Sequence, residues 1–448
     1  KIDLLEAING ILYIHVIDKQ KNNDINSLIQ LEPMIFFADS IIDQIRFEII
    51  TDEDKMSINE QMSSFFQNTI FIFSTLSEKN SNKEFSDKIF YFIEKNKSST
   101  LLSNISSANY SDDSLFQNYF ETQKYLKEKI RIYNQQIATS SDYKKNDFYR
   151  QLIIETNQEI EKNNQQFKRN QTITNLHYSS MKTSKIHEIQ SIIDDTTALI
   201  NYYLSEDFLL AVVVTKNDYN SFVIRIDKNF FQTLNDFKRT IISSQKQDFP
   251  TYLKSANDLF NYLFFFTLPS KIKKLLIIPH IDLITVPFDA LLTQKIEKID
   301  TKYSDLPYLI NNYSIFYSYS ASLFTKYFLT DYSSIERNDL LTFAPVFKPD
   351  NPQQYKGSNV STILGTEKEA IDIYNLFISN NLKSTKLLNN KANEYLFKLI
   401  LKSNDYKIIH IATHGLVDYE NPNLSALVLS NDSLNIEDGI VFAGVIRD

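Results

Sequence analysis

Cysteine is absent from all 448 residues. That excludes disulfides and thiolate metal sites, and it leaves the chain without a thiol nucleophile of its own. Histidine is scarce as well: His15, His177, His187, His280, His410 and His414 are the whole set. None of them stands in the HExxH arrangement of a zinc peptidase. His410 and His414 have the spacing of two ligands on one helix face, but Ile408, Ile409 and Ile411 around them read as a strand. Neither a metal nor a cofactor is therefore expected, and the lack of any GxGxxG or Walker run argues against a phosphate loop. The basic residues form no dense run and the net charge is −8, so nucleic acid is not expected as a direct ligand. No stretch of about 18 apolar residues is evident, the best candidate being the shorter run at 260–268, so no membrane span is expected. Nothing at Lys1 resembles a secretory signal, and the location is read as cytoplasmic. A first residue other than Met reads as a start inside a longer protein.

Glycine is the next scarcity, and its placement divides the chain. Gly10 is the only one before Gly357; Gly365, Gly415, Gly439 and Gly444 follow. Few positive-φ positions early on suggest long helices joined by polar turns, and their return suggests an α/β region with loops at strand ends. The expected class is an α+β multidomain protein. Residues 1–110 read as amphipathic helices of tetratricopeptide-like size, and 111–190 as a long helical hairpin. Residues 191–448 read as an α/β domain with a mainly parallel sheet. In the hairpin, Leu115, Tyr119, Leu126, Ile130, Tyr133 and Ile137 form one stripe, and Phe148, Leu152, Ile160 and Phe167 the return.

From residue 198 the period shortens. Residues 198–204, 208–215 and 221–226 read as strands of a meander, and 229–244 and 252–266 as helices. The unbroken apolar runs at 274–279, 340–344, 408–412 and 424–429 suit parallel strands buried on both faces. Helices are expected at 366–380 and 391–402, with Thr366 and Glu369 spaced as a capping box.

Two segments carry chemistry. One runs Leu275-Leu-Ile-Ile-Pro279-His-Ile-Asp-Leu-Ile-Thr-Val-Pro287-Phe-Asp-Ala-Leu291. The other runs Ile408-Ile-His-Ile-Ala-Thr-His414-Gly415, followed by Asp418, Asn421-Pro422, Ser425 and Leu427-Val-Leu429. Together they resemble the signature stretches of the CHAT domain, a bacterial caspase- and separase-like peptidase family often placed behind tetratricopeptide repeats. Lesser matches follow in family order. These are Phe92-Ile-Glu94-Lys95-Asn-Lys97 with Leu101-Leu102, Tyr202-Tyr203-Leu204, Ser318-Tyr-Ser320-Ala-Ser322 and Phe343-Ala-Pro345.

The resemblance implies a caspase-like fold and peptide-bond hydrolysis by a thiolate. His414 would be the catalytic base and Gly415 an oxyanion donor. On physical grounds, an imidazole at the carboxyl end of a strand is held firmly yet reaches a cleft, and a glycine beside it allows a sharp turn. His410 reads as a packed support of the same strand, facing the same side as His414 by the period of two, and His280 as a loop residue. Asp289, Asp418 and Asp438 are candidate liners of a substrate pocket, each with a turn or cap role as its plainer reading. Implied partners are a protein substrate and a protein regulator on the helical half, in antiviral defence or regulated cell death.

In the family, the Asp-Gly pair seen here as Asp438-Gly439 leads on to a strand ending in cysteine. That strand is expected beyond Asp448, so the α/β domain is read as incomplete at its carboxyl end, unless a second chain supplies the segment. The competing expectation is a catalytically silent scaffold that binds protein through its helices.

Overall fold

In the computed structural model of the chain the described residues are 1–21, 25–48, 52–80, 83–97, 114–139, 142–168, 183–243, 245–297, 302–329, 337–345, 347, 354–355, 358–359, 363, 365–403, 406–418, 425–431 and 438–443. They fall into two compact units, Lys1–Thr330 and Asp331–Asp448.

The first unit begins with helices α1 (Ile2–Lys21), α2 (Ile25–Ile29), α3 (Glu32–Glu48), α4 (Asp52–Gln61), α5 (Ser63–Asn80) and α6 (Lys83–Lys97). Apolar residues at helical spacing supply their inner faces: Leu5, Ile8 and Leu12; Ile35, Ala38, Ile42 and Ile45; Phe66, Ile70 and Phe73; Ile89, Phe92 and Ile93. Phe73 stacks on Phe92 with ring centroids 5.7 Å apart. The stretch Ile25–Arg46 is long and apolar enough to cross a membrane by length and composition, which corrects the expectation that none is. Its charged residues point to a core helix instead, because Asp39 and Asp43 both pair with Lys95 of α6.

The expected hairpin is present as α7 (Ser114–Thr139) and α8 (Tyr143–Lys168). Tyr119, Leu126 and Ile160 are buried between the two. Gln123 Nε2 donates to Asn164 Oδ1 at 2.8 Å. Residues 140 and 141 of the expected turn lie outside the described residues, and Asp142 caps α8 by accepting the Lys144 N–H.

After α9 (Ile186–Ile192) come β1 (Thr197–Leu204), β2 (Phe208–Thr215) and β3 (Tyr219–Arg225), an antiparallel meander as read from the pattern. Helices α10 (Lys228–Ile241) and α11 (Phe249–Leu263) lead to β4 (Lys274–Ile278), β5 (Ser314–Tyr317) and α12 (Ala321–Leu329). The sheet order is β3-β2-β1-β4-β5, with β4 parallel to both neighbours. Alternate residues serve opposite faces. Leu199, Tyr203, Leu210, Val212 and Leu276 share one core with α1–α6. Ala198, Ile200, Tyr202, Leu209, Ala211 and Ile277 pack against α10 and α11. Both faces are covered, and that is why these strands read as unbroken apolar runs.

The second unit holds β6 (Asn338–Ala344), the short hairpin β7 (Gln354–Tyr355) and β8 (Ser358–Asn359), α13 (Thr366–Ser379), β9 (Ser384–Leu388), α14 (Glu394–Ser403) and β10 (Tyr406–Ile411). The sheet β10-β6-β9 is parallel throughout. Beyond it β11 (Gly415–Leu416), β12 (Ala426–Val428) and β13 (Ile440–Phe442) form an antiparallel sheet.

Three expectations change here. The run at 424–429 is not a parallel strand: β12 returns antiparallel on β11, because the intervening segment is too short for a crossover of a dozen or more residues. The run at 408–412 is not buried on both faces; β10 is an edge strand among the described residues, and Ile408 is half exposed. The capping box at Thr366 is not formed. Gly365, at φ 102°, is the cap, and its carbonyl accepts the Glu369 N–H at 2.8 Å.

Candidate active site

Hydrogen bonding to β6 carries β10 as far as Ile411, and the Ala412 N–H then donates to Phe343 O at 2.9 Å. The chain bends at Thr413, whose hydroxyl donates to Val428 O. His414 follows, its carbonyl accepting the Val428 N–H at 3.0 Å. The imidazole packs against Phe347, with ring centroids 6.0 Å apart. His414 thus sits past the strand end, its backbone fixed from both sides, with a half-buried side chain.

The expected alternation from His410 to His414 does not hold, because the strand ends between them. His410 stays on the sheet, and its Nε2 lies 3.0 Å from Glu369 Oε1 of α13. That pairing uses the glutamate expected in the capping box.

Gly415 opens β11 as an ordinary extended residue rather than a sharp turn; among the described glycines the positive φ angles belong to Gly365 and Gly439. A Cβ built on Gly415 meets nothing within 4 Å. What glycine provides here is open space directly after the imidazole.

The candidate acids are placed differently from one another. Asp418 ends the stretch after β11, its N–H donating to Ser425 Oγ at 3.0 Å. Asp438 is exposed and its Oδ1 accepts the Ile440 N–H at 2.9 Å, the plainer turn role. β12 separates the His414 segment from β13. The Gly439 N–H in turn donates to Glu394 Oε2, a buried carboxylate that sequence reasoning passed over. Asp289 belongs to the first unit. Its Oδ2 accepts the Tyr317 hydroxyl at 2.6 Å, and that hydroxyl accepts the Phe288 N–H at 2.9 Å.

A buried polar network ties α6 to the sheet of the first unit. Glu94 accepts from Asn201 Nδ2 at 2.7 Å, from the backbone of Ala321 at 3.1 Å, and from both the backbone and the hydroxyl of Ser322 at 2.7 Å. Lys97 Nζ donates to Asn201 Oδ1 at 2.6 Å and to the carbonyl of Ile278, the last residue of β4, at 3.0 Å. Burial lowers the Lys97 pKa to about 7 against the opposing pull of Glu94.

His280, read as a loop residue, does follow β4, but it is buried. Its ring stacks on Tyr203 at 4.5 Å, and Nδ1 meets the backbone of Leu204 at 3.1 Å. Burial first, and then repulsion from Lys97, lowers its pKa to about 3.

Both depressed values act in one direction on stability. Between pH 3 and 6.5 the unfolded chain binds a proton at His280 that the folded unit refuses, and between about 7 and 10.5 the same holds for Lys97. Stability attributable to His280 is thus complete above 6.5 and drains away as pH falls toward 3. The variant His280→Phe keeps the stack on Tyr203 without the titration. Its chemical-unfolding midpoint should fall less steeply between pH 6.5 and 3 than that of the parent; equal slopes would refute the assignment.

Residues 253–447 match the family model of the CHAT domain. No curated protein matches the chain.

Proposed function

The chain takes its place among CHAT-domain proteins through residues 253–447, and from that premise we propose that it is a caspase-like cysteine endopeptidase with His414 as its base. The observation that carries this reading is His414 itself. It is pinned by Val428 just past β10, with unfilled space at Gly415 beside it. In the proposed reaction His414 takes the proton of a thiol and the thiolate attacks the scissile carbonyl carbon. The Gly415 N–H faces the developing oxyanion. His414 then passes its proton to the departing amine, and water hydrolyses the thioester.

The thiol has to come from residues other than these 448, which contain no cysteine. Among the described residues β10 lies at the edge of its sheet, and a further parallel strand would pair there, whether from the same polypeptide or a second chain. In this reading the helices of the first unit receive a protein regulator, in the cytoplasm, in antiviral defence or regulated cell death. The Glu94 and Lys97 network links α6 directly to β1, β4 and α12, so a partner seated on α6 would be felt in the sheet of the first unit.

A second reading follows from the missing cysteine: a CHAT-like scaffold that binds protein without cleaving it.

The test supplies the cysteine-bearing segment, joined to the chain or added in trans, and measures peptide cleavage. His414→Ala should lower the rate about 10²- to 10⁴-fold. Gly415→Ala should leave the unfolding midpoint unchanged, because its Cβ meets nothing, while depressing cleavage by crowding the oxyanion. Equal cleavage by the parent and His414→Ala defeats the peptidase reading, and a parent that never cleaves favours the scaffold.

A further inference from the structure

On one side of the first unit, Asp289 shares a cleft of about 630 Å³ with three tyrosines, and Tyr252, Tyr303, Tyr308, Ile241 and Ile310 are among its walls. From this juxtaposition we infer that the cleft is a binding site for a basic peptide side chain, with arginine preferred over lysine.

The argument starts from charge. Asp289 is half buried, its hydroxyl donor is the neutral Tyr317, and among the described residues it has no ion pair. Elsewhere in this unit Asp39 holds Lys95 and Asp248 holds Arg239, while the buried Glu94 is satisfied by four neutral donors; the Asp289 carboxylate has the single Tyr317 hydroxyl among the described residues. A half-buried carboxylate with one neutral donor, set among tyrosines, attracts a cation.

The walls narrow the class of cation. Tyr252 and Tyr303 stand with ring centroids 6.3 Å apart, tilted by 38°, and Phe249 backs Tyr303 at 4.6 Å. The hydroxyl of Tyr252 is tied to Ala290 O at 2.8 Å. Its buried ring is therefore held in place as backing, and the exposed face of Tyr303 is the one open to an organic cation. A divalent metal fits poorly, because among the described residues no group of three potential ligands exists.

Size decides between a free small cation and a peptide. The volume lies within the ~300–1,000 Å³ typical of pockets for drug-sized ligands, so a lone ammonium or guanidinium would leave most of it empty. A basic side chain with the adjoining peptide fills it, the stem lying along Ile241 and Ile310. Guanidinium is favoured because its plane stacks on a tyrosine while its fork meets the carboxylate.

This inference deepens the substrate-pocket expectation for Asp289, but it rests on binding rather than cleavage. Its failure and that of the peptidase reading are thus separable. The test uses the full chain and ligand-observed NMR or calorimetry with acetyl-Ala-Arg-Ala-amide, its citrulline counterpart and agmatine. The arginine peptide should bind, the citrulline peptide should bind at least tenfold more weakly, and agmatine should fall between them. Asp289→Asn keeps an acceptor for Tyr317 and should weaken the arginine peptide about tenfold; exposed Tyr303→Ala should weaken it severalfold, both with an unchanged unfolding midpoint. Equal binding of arginine and citrulline peptides, or no effect of Asp289→Asn on a properly folded variant, overturns the site. Agmatine binding as tightly as the peptide overturns the peptide assignment.

Discussion

Replacing Glu94 by alanine is expected to destabilise the first unit severely. This carboxylate is fully buried and accepts four hydrogen bonds, one from Asn201, one from Ala321 and two from Ser322. Two of the donors are the first backbone N–H groups of α12, which have no partner within their own helix. Truncation strands all four donors below the surface. At ~1–3 kcal/mol for each buried unsatisfied group, with some relaxation, the loss is on the order of 5 kcal/mol. That is comparable with the whole stability of a typical domain. Glu94→Gln should cost less, because its carbonyl oxygen still serves one side while its amide opposes donors on the other. Urea unfolding of the three proteins checks the order; a loss below about 1 kcal/mol for Glu94→Ala would sink the argument.

Much of the architecture was legible from period and breaker residues. The unbroken run in β4 and the alternating faces of β1 and β2 follow from burial on both sides of one sheet, so their edges fell within a residue or two of the pattern. The hairpin α7–α8 was equally readable, because a stripe at three- and four-residue steps has no strand interpretation. Misreadings arose where tertiary placement decides. Ile408 and Ile409 look like a buried strand by composition, yet among the described residues β10 lies at a sheet edge, and hydrophobicity alone carries no information on position in a sheet. Gly365 took the capping role from Thr366 through a positive φ that nothing in the local sequence required.

The candidate site was legible only in part. His414 and Gly415 were visible through the surrounding segment, whereas Glu394 and Glu369 act through partners 45 and 41 residues away in sequence. Glu94 and Lys97 were noticed as part of a resemblance, but no spacing rule predicts that one would cap α12 and the other hold the end of β4. Such long-range polar contacts have no period, and a single sequence does not display them.

The neighbouring Lys95 should show the second large effect. Its ammonium lies 2.6 Å from Asp39 Oδ1 and 2.6 Å from Asp43 Oδ1, with Asp39 also accepting the Tyr91 hydroxyl at 2.7 Å. Lys95 and Asp39 are both buried, so the pair is shielded from solvent. Lys95→Met keeps the volume of the stem and removes the charge, leaving Asp39 buried without its principal cation. Breaking one side of a buried pair typically costs about 3–5 kcal/mol, and that is the expected loss. Burial already raises the Asp39 pKa above 3.8 against the opposing pull of Lys95. Without Lys95 it rises further, so the folded variant holds a proton that the unfolded chain releases. By linkage the deficit then grows as pH climbs above 3.8 through that higher folded value, and it is smaller in acid. Adding Asp39→Asn should restore at least half of the loss, since the stranded charge is gone. A double-mutant cycle followed by urea unfolding at pH 5 and pH 8 measures both features. If the single variant loses under 1 kcal/mol at pH 8, or if Asp39→Asn deepens the loss, the pair is not acting as a buried ion pair.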